Sequence, residues 1–396
     1  MNRIQLHERI AIGCWLLITA VFLVGCQPKT AEVETGSPQT ETPAPVIPTA
    51  TKPIPSPTAS SNEPTVEGLA TRTPADGRLI MIDESQYPNH KLVVLDLETQ
   101  TGLVLFEAPE NGWMFQLDVD QSAGQIAISY APPPESDPTP IEGRTPFDRN
   151  GVYIADFDET GITSNLKFLF GNSGANEFVF NPIWSADGRS IFYVSYKRIL
   201  ADITDWESQA SITVALYRYD LETDSHNLIS DDGIWPRISA DGEKLLYIQV
   251  DPVTSQRSIR TSDLDGGNIQ ELVPFNRFFD IDTPTFSADG KHIYFAAVPH
   301  STKVERKWWE VVLGIQGVSA HVDHNIPSDW WRVSVEGGEP EKVASVQQII
   351  SHGSFDASGE ILFYATDSGV FQLPISGSNP EPIPIQNRYR YVEWAP

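Results

Sequence analysis

Cysteine is all but missing from this 396-residue chain. Its two copies, Cys14 and Cys26, both fall within the first 26 residues, so nothing beyond them can form a disulfide, a cysteine-based zinc site or a thiol nucleophile. Basic residues are also scarce. Lys and Arg number 27 against 53 Asp and Glu, a formal charge of −26, and from residue 78 onward 22 basic residues face 46 acidic ones. That balance excludes a nucleic-acid binder, whose target's phosphates require a basic patch, and it excludes docking on anionic lipid by charge. Long apolar runs are absent after residue 26, where nothing approaches the roughly 20 residues of a membrane span. Helical periodicity is absent too, apart from one insertion. A chain without staples, spans or helices must hold itself together through a β core.

The first 26 residues do carry an apolar run. Arg3 and Arg9 precede residues 10–24, the layout of a secretory signal, and the run ends in "LVGC" at 23–26. This resembles a bacterial lipobox, which implies cleavage before Cys26 and acylation, palmitate included, of its thiol and new amino group. The alternative is an uncleaved membrane anchor. Either way the rest of the chain is expected outside the cytoplasm, at the cell membrane, with the bilayer a partner through acylated Cys26. Two or more acyl chains at roughly 0.8 kcal/mol per buried CH₂ give stable anchoring. Residues 27–74 then hold ten Pro, ten Thr and no aromatic residue. Such a segment cannot bury enough apolar surface to offset its ordering entropy, so a disordered tether is expected, reaching roughly 40 Å as a coil and about 160 Å as polyproline II.

From residue 75 the chain repeats one phrase. "NPIWSADGRSIFYV" (181–194) returns as "IWPRISADGEKLLYI" (234–248), "DTPTFSADGKHIYF" (282–295) and "SHGSFDASGEILFY" (351–364). Each reads as two short strands joined by a tight turn at a glycine, because Asp-Gly tolerates the positive φ that hairpin turns need. With Gly124 the turn glycines are Gly124, Gly188, Gly242, Gly290 and Gly359, and a further strand pair follows each hairpin. A recurrence near 45 residues with variable insertions signals four-stranded propeller blades. The domain opens with "ADGRLIMI" (75–82), the second half of the phrase, and the chain ends with "YVEWAP" (391–396), the first half. The expectation is an all-β, six-bladed β-propeller over 75–396, closed by strand exchange between its termini, with "KLVVLDLETQTGLVLF" supplying the outer strands of the closing blade.

"WSADG" followed by an apolar strand, repeated around six blades, resembles the propeller repeat of TolB, a periplasmic component of the Tol-Pal envelope system. It is also similar to the propellers of prolyl oligopeptidase-like enzymes. The resemblance covers about residues 75–396. It implies the fold far more strongly than any function. Two differences stand out. TolB carries an α/β domain where this chain has a tether, and the oligopeptidases carry a hydrolase domain with G-x-S-x-G, which neither "GNSGA" at Gly171 nor "GVSAH" at Gly317 supplies.

No catalytic constellation emerges. Asp187, Asp241 and Asp289 precede glycines at equivalent hairpins, which is turn chemistry. "HVDH" places His321, Asp323 and His324 together, with His300 flanking the same insertion; it reads as an irregular polar loop or as part of a metal site lacking a third ligand. No metal or other cofactor is expected. Three long insertions, 131–150, 197–211 and 298–329, fall between second and third strands and so emerge on one face. In the last, Val304, Trp308, Val311, Val312 and Ile315 form a helical stripe, with Trp309, Trp330 and Trp331 nearby. The stripe is either a lid on the propeller or an anchor for a partner, since aromatic residues dominate binding hot spots. The candidate binding residues are therefore Trp308, Trp309, His321, Asp323, His324, Trp330 and Trp331, with Cys26 the lipid attachment site. The expected function is non-catalytic binding of an envelope protein or extracellular ligand by a monomer. The alternatives are an enzyme acting on an envelope glycan or peptide at the channel mouth, and a structural module of an envelope complex.

Overall fold

The computed structural model describes residues 77–86, 89–99, 101–120, 124–133, 149–158, 161–162, 165–171, 177–199, 211–300, 327–376, 380–383 and 389–395. Among the described residues, antiparallel strands group into six sheets. Blade 1 combines β25 (Tyr389–Ala395) with β1 (Arg78–Gln86), β2 (Asn89–Asp96) and β3 (Gly102–Glu107). Blade 2 holds β4 (Trp113–Asp120), β5 (Gln125–Ala131) and β6 (Gly151–Asp158), with β7 (Gly161–Ile162) and β8 (Lys167–Gly171) both pairing β6 on its outside. Blade 3 is β9 (Glu177–Trp184), β10 (Ser190–Ile199), β11 (Ser211–Asp220) and β12 (Ser225–Asp231); blade 4 is β13 (Gly233–Ile238), β14 (Lys244–Val250), β15 (Arg257–Asp263) and β16 (Gln270–Val273). Blade 5 is β17 (Asp280–Phe286), β18 (His292–Val298), β19 (Ser328–Ser334) and β20 (Glu341–Gln348); blade 6 is β21 (Ile350–Phe355), β22 (Ile361–Thr366), β23 (Gly369–Pro374) and β24 (Glu381–Ile383).

The innermost strands, β25, β4, β9, β13, β17 and β21, each touch the next around a closed circle. The molecule is a six-bladed propeller, as the repeats predict. Closure follows the predicted route. β25 pairs with β1, opposing Trp394 to Leu79 and Val392 to Met81, so the first and last described strands share one sheet. Trp394 is buried and stacks on Phe363 of blade 6 at 5.6 Å and 12°. The core lies between blades, where second strands made almost wholly of apolar residues, such as "LLYI" in β14 and "IYFAA" in β18, are buried on both faces.

The repeated Ser-Ala-Asp-Gly is a staple for the inner hairpin. In blade 3 the Ser185 hydroxyl donates to Asp187 (2.7 Å) and accepts the Ser190 amide, while Asp187 accepts the Arg189 amide. Ser239 with Asp241 and Ser287 with Asp289 repeat this arrangement. Blade 6 writes the phrase as Asp-Ala-Ser-Gly and exchanges the roles: Asp356 accepts the Ile361 amide, and Ser358 donates to Asp356 while accepting the Glu360 amide. All five turn glycines have φ between 60° and 75°, conformations that a side chain would strain.

A second recurrent device lies within the inner strands. Asn181, Trp235 and Thr283 each precede a proline, have φ of 51°, 54° and 46°, and fall where the pairing to the second strand slips. These are β-bulges, and the proline, lacking an N–H, fits where the ladder is broken. A left-handed backbone at a β-branched residue such as Thr283 is costly, on the order of 1–3 kcal/mol, and persists only where its surroundings enforce it. Each bulge lies two residues before one inner-strand position, occupied by Ile183, Arg237 and Thr285.

Candidate functional site

Strand pairing defines which inner-strand residues are equivalent. Asp118, Ile183, Arg237, Thr285, Ser354 and Glu393 oppose Ala127, Phe192, Leu246, Tyr294, Phe363 and Ile80 of their second strands, and so occupy one position in the six blades. Four of the six are polar groups that form or adjoin one network. Arg237 Nη2 lies 2.6 Å from Nε2 and 3.0 Å from Nδ1 of His352, and its Nη1 is 4.0 Å from Glu393 Oε2. His352 Nε2 is 3.1 Å from the same carboxylate oxygen, and Ser354 donates to Oε1 at 2.8 Å. Tyr391 stacks on the His352 ring with centroids 3.6 Å apart. Arg237 belongs to blade 4 and Glu393 to blade 1, opposite each other in the ring, so contact between them runs across the axis. The network bars the channel. The Arg237 and Glu393 side chains in it are mostly buried, 12 % and 18 % exposed.

Asp118 is held differently. Its Oδ2 accepts the Trp184 amide of blade 3 at 2.6 Å, and no Lys, Arg or His side chain forms an ion pair with it among the described residues. Burial and then the charge of Glu393 push its carboxyl up to about 8. Glu393 goes the other way. Burial would raise it, but the hydrogen bond from His352, the charge of Arg237 and the Ser354 hydroxyl hold it below the ordinary carboxylate range. Burial also lifts the Tyr391 phenol well above its usual range. Two neighbouring carboxyls are thus driven to opposite protonation states, an arrangement able to store one proton.

The second candidate region is the face where the long connections emerge. Residues 132–150, 200–210 and 299–327 join β5 to β6, β10 to β11 and β18 to β19, in each case the second strand to the third. Strand direction alternates within a blade, so these three leave on the same face, while the stapled turns lie on the other. The rim of the loop face is fastened by one device used in three blades. A polar side chain at the start of a third strand captures the backbone of the next inner strand. His90 Nδ1 lies 3.0 Å from the Met114 carbonyl and 3.2 Å from its amide nitrogen. Asn150 donates to the Val179 carbonyl (2.7 Å) and accepts its amide (2.9 Å), imitating a strand pair. Arg257 donates to the Ile281 carbonyl (2.9 Å) and is ion-paired to Asp280 and Asp282 at 3.0 and 2.7 Å. Loops are thereby carried on a fixed frame.

Of the residues singled out by sequence, Trp330 and Trp331 lie in β19. Trp330 is fully buried with its ring edge-on to Tyr364, and a Cβ on Gly353 would come within 2.8 Å of its indole. It is a core residue and presents no surface to a partner, a correction to its expected place in a binding site. Trp331 is half-buried, 4.9 Å from Phe278 between ring centroids. His300 reaches the Asn276 carbonyl at 2.7 Å. Cys26, Trp308, Trp309, His321, Asp323 and His324, with the helical stripe, lie outside the described residues. The channel residues were missed by sequence reasoning. Their signal is a single column of the repeat, five residues before the turn glycine, which reads Ile183, Arg237, Thr285, Ser354 and is mostly polar inside otherwise apolar strands.

No protein-family model matches the chain, and no curated protein matches it in sequence. Solved structures do share its fold. TolB from Acinetobacter baumannii is 18% identical with a TM-score of 0.54, covering 82% of this chain and 68% of that one. A putative TolB from Agrobacterium tumefaciens is 15% identical with a TM-score of 0.50, covering 81% of this chain and 99% of that one. An oligogalacturonate lyase from Vibrio parahaemolyticus is 12% identical with a TM-score of 0.46, covering 74% and 71%. Identities this low speak to fold alone. Taken with the six blades, the two TolB structures show a propeller fold similar to theirs.

Proposed function

We propose that the protein is a membrane-anchored, extracytoplasmic binding module that engages an envelope protein or extracellular ligand through its loop-bearing face. The observation that carries this is the asymmetry of the two faces: all three long connections leave on one side of a rigid frame, while the stapled turns of blades 3, 4 and 5 leave on the other. Anchoring rests on the "LVGC" sequence and the proline-rich segment after it. Cys26→Ala is expected to abolish incorporation of a fatty-acid label; equal label on both proteins would remove the anchor from the account. Binding is tested by replacing 301–326 with a short Gly-Ser linker, which should leave the melting temperature within a few degrees while capture from the protein's own membranes falls. Undiminished capture would exclude that insertion as the contact. The catalytic alternative draws support from the paired carboxyls in the channel, and turnover of an envelope glycan or peptide that is lost in Glu393→Gln would favour it.

A further inference from the structure

The two channel carboxyls lie on strands of different standing. β4, with Asp118, is the inner strand of blade 2 and is followed directly by the rest of its blade; β25, with Glu393, is the last strand and completes blade 1. They are adjacent inner strands, in contact along the seam between blades 1 and 2. The partners are shared out unequally. Arg237, His352 and Ser354 all converge on Glu393, whereas the Asp118 carboxyl accepts the Trp184 amide and has no ion pair among the described residues. The titratable groups facing this seam are Glu393 and Tyr391 from β25, Arg237 from β13 and His352 from β21; β9 contributes only the Trp184 amide, and β5 sets Ala127 opposite. Arg237, and His352 when protonated, already pair with Glu393, so among the described residues Asp118 has no cation of its own when it ionises.

We propose that Asp118 and Glu393 form a proton-operated latch on the ring: with one proton held between the two carboxyls the β4–β25 seam is closed, and when Asp118 gives that proton to water the two like charges loosen the C-terminal strand. Nothing else is consumed or formed. The direction of the effect follows from burial and from the charge of Glu393, which raise Asp118 above its unfolded value. The folded state then binds the proton more tightly than the unfolded one. The associated stability is fully present below the ordinary carboxylate range and is lost as the pH rises toward about 8. A purely structural network, with both carboxylates ionised throughout, has no such dependence.

The test compares the full chain with Asp118→Asn by thermal unfolding at a series of pH values from about 5 to about 9, spanning the raised carboxyl. The melting temperature of the wild type should fall relative to the variant by on the order of 5 °C across that range. Parallel curves overturn the latch. Because the variant can fail to fold, amide hydrogen exchange of the wild type alone gives a second reading. After correction for intrinsic rates, protection in residues 389–395 should drop about tenfold more than protection in β10 between the two ends of the range. Protection of β25 that follows β10 throughout contradicts the proposal. Neither measurement depends on a partner, so the latch and the binding face stand or fall separately.

Discussion

Ser287 illustrates how much one side chain contributes to each blade. Its hydroxyl donates to Asp289 and accepts the His292 amide, closing the first hairpin of blade 5 from inside. Ser287→Ala leaves that amide with no side-chain acceptor at a nearly buried position, and should lower stability by about 1–2 kcal/mol in urea unfolding. It should also alter the acid limb. The Ser287 hydroxyl, then the Lys291 amide, hold Asp289 down at about 2. The stability so contributed is present above the unfolded carboxylate range and is lost as the pH falls toward about 2. In the variant that loss should be smaller. An unchanged acid profile would mean the hydroxyl is not what holds the carboxylate. The staple was legible in the sequence because its residues recur at fixed spacing. The channel residues were legible only in part: Arg237 and Ser354 share one column of the repeat, five residues before the turn glycine, but Asp118 is six residues before Gly124 instead of five, so the count that finds the others misses it. The left-handed backbone at Trp235 and Thr283 had no sequence signal, since neither residue type favours it.

At the level of elements, the closing strand β25 carries more than its length suggests. It supplies the inner edge of blade 1, the Trp394 indole that stacks on Phe363, and the Glu393 carboxylate that gathers Arg237, His352 and Ser354. Trp394→Ala should cost about 3–5 kcal/mol, the range for emptying a buried aromatic site. Removing residues 391–396 should lower the melting temperature of the whole domain in one cooperative step. A separate low-temperature transition with the rest unchanged would show that the blades do not depend on closure. Gly77 belongs to the same joint, because a Cβ there would lie 1.9 Å from the Trp394 ring. The strand exchange was readable from sequence as two halves of one phrase at opposite ends. Blade 2 was harder: its outer edge is divided between the short β7 and β8, and no repeat pattern marks that division.

On the scale of the whole molecule, a ring without disulfides is held by inter-blade cores, by polar clamps along one rim and by a charged network across its axis. The same alternation of strand direction that builds the blades sorts their connections, long ones to one face and stapled turns to the other. That sorting is the central claim, and two exposed apolar residues allow it to be tested directly. Val253 lies between the second and third strands of blade 4, on the loop face, and is 89% exposed; Ile269 lies between the third and fourth, on the opposite face, and is 55% exposed. A photo-cross-linking side chain placed at each position in turn, in the anchored protein in its own membranes, reads which face is occupied. The account expects a discrete adduct from position 253 that is lost when 301–326 is replaced, and none from position 269. An adduct from 269 alone, or the same adduct from both positions, would contradict it.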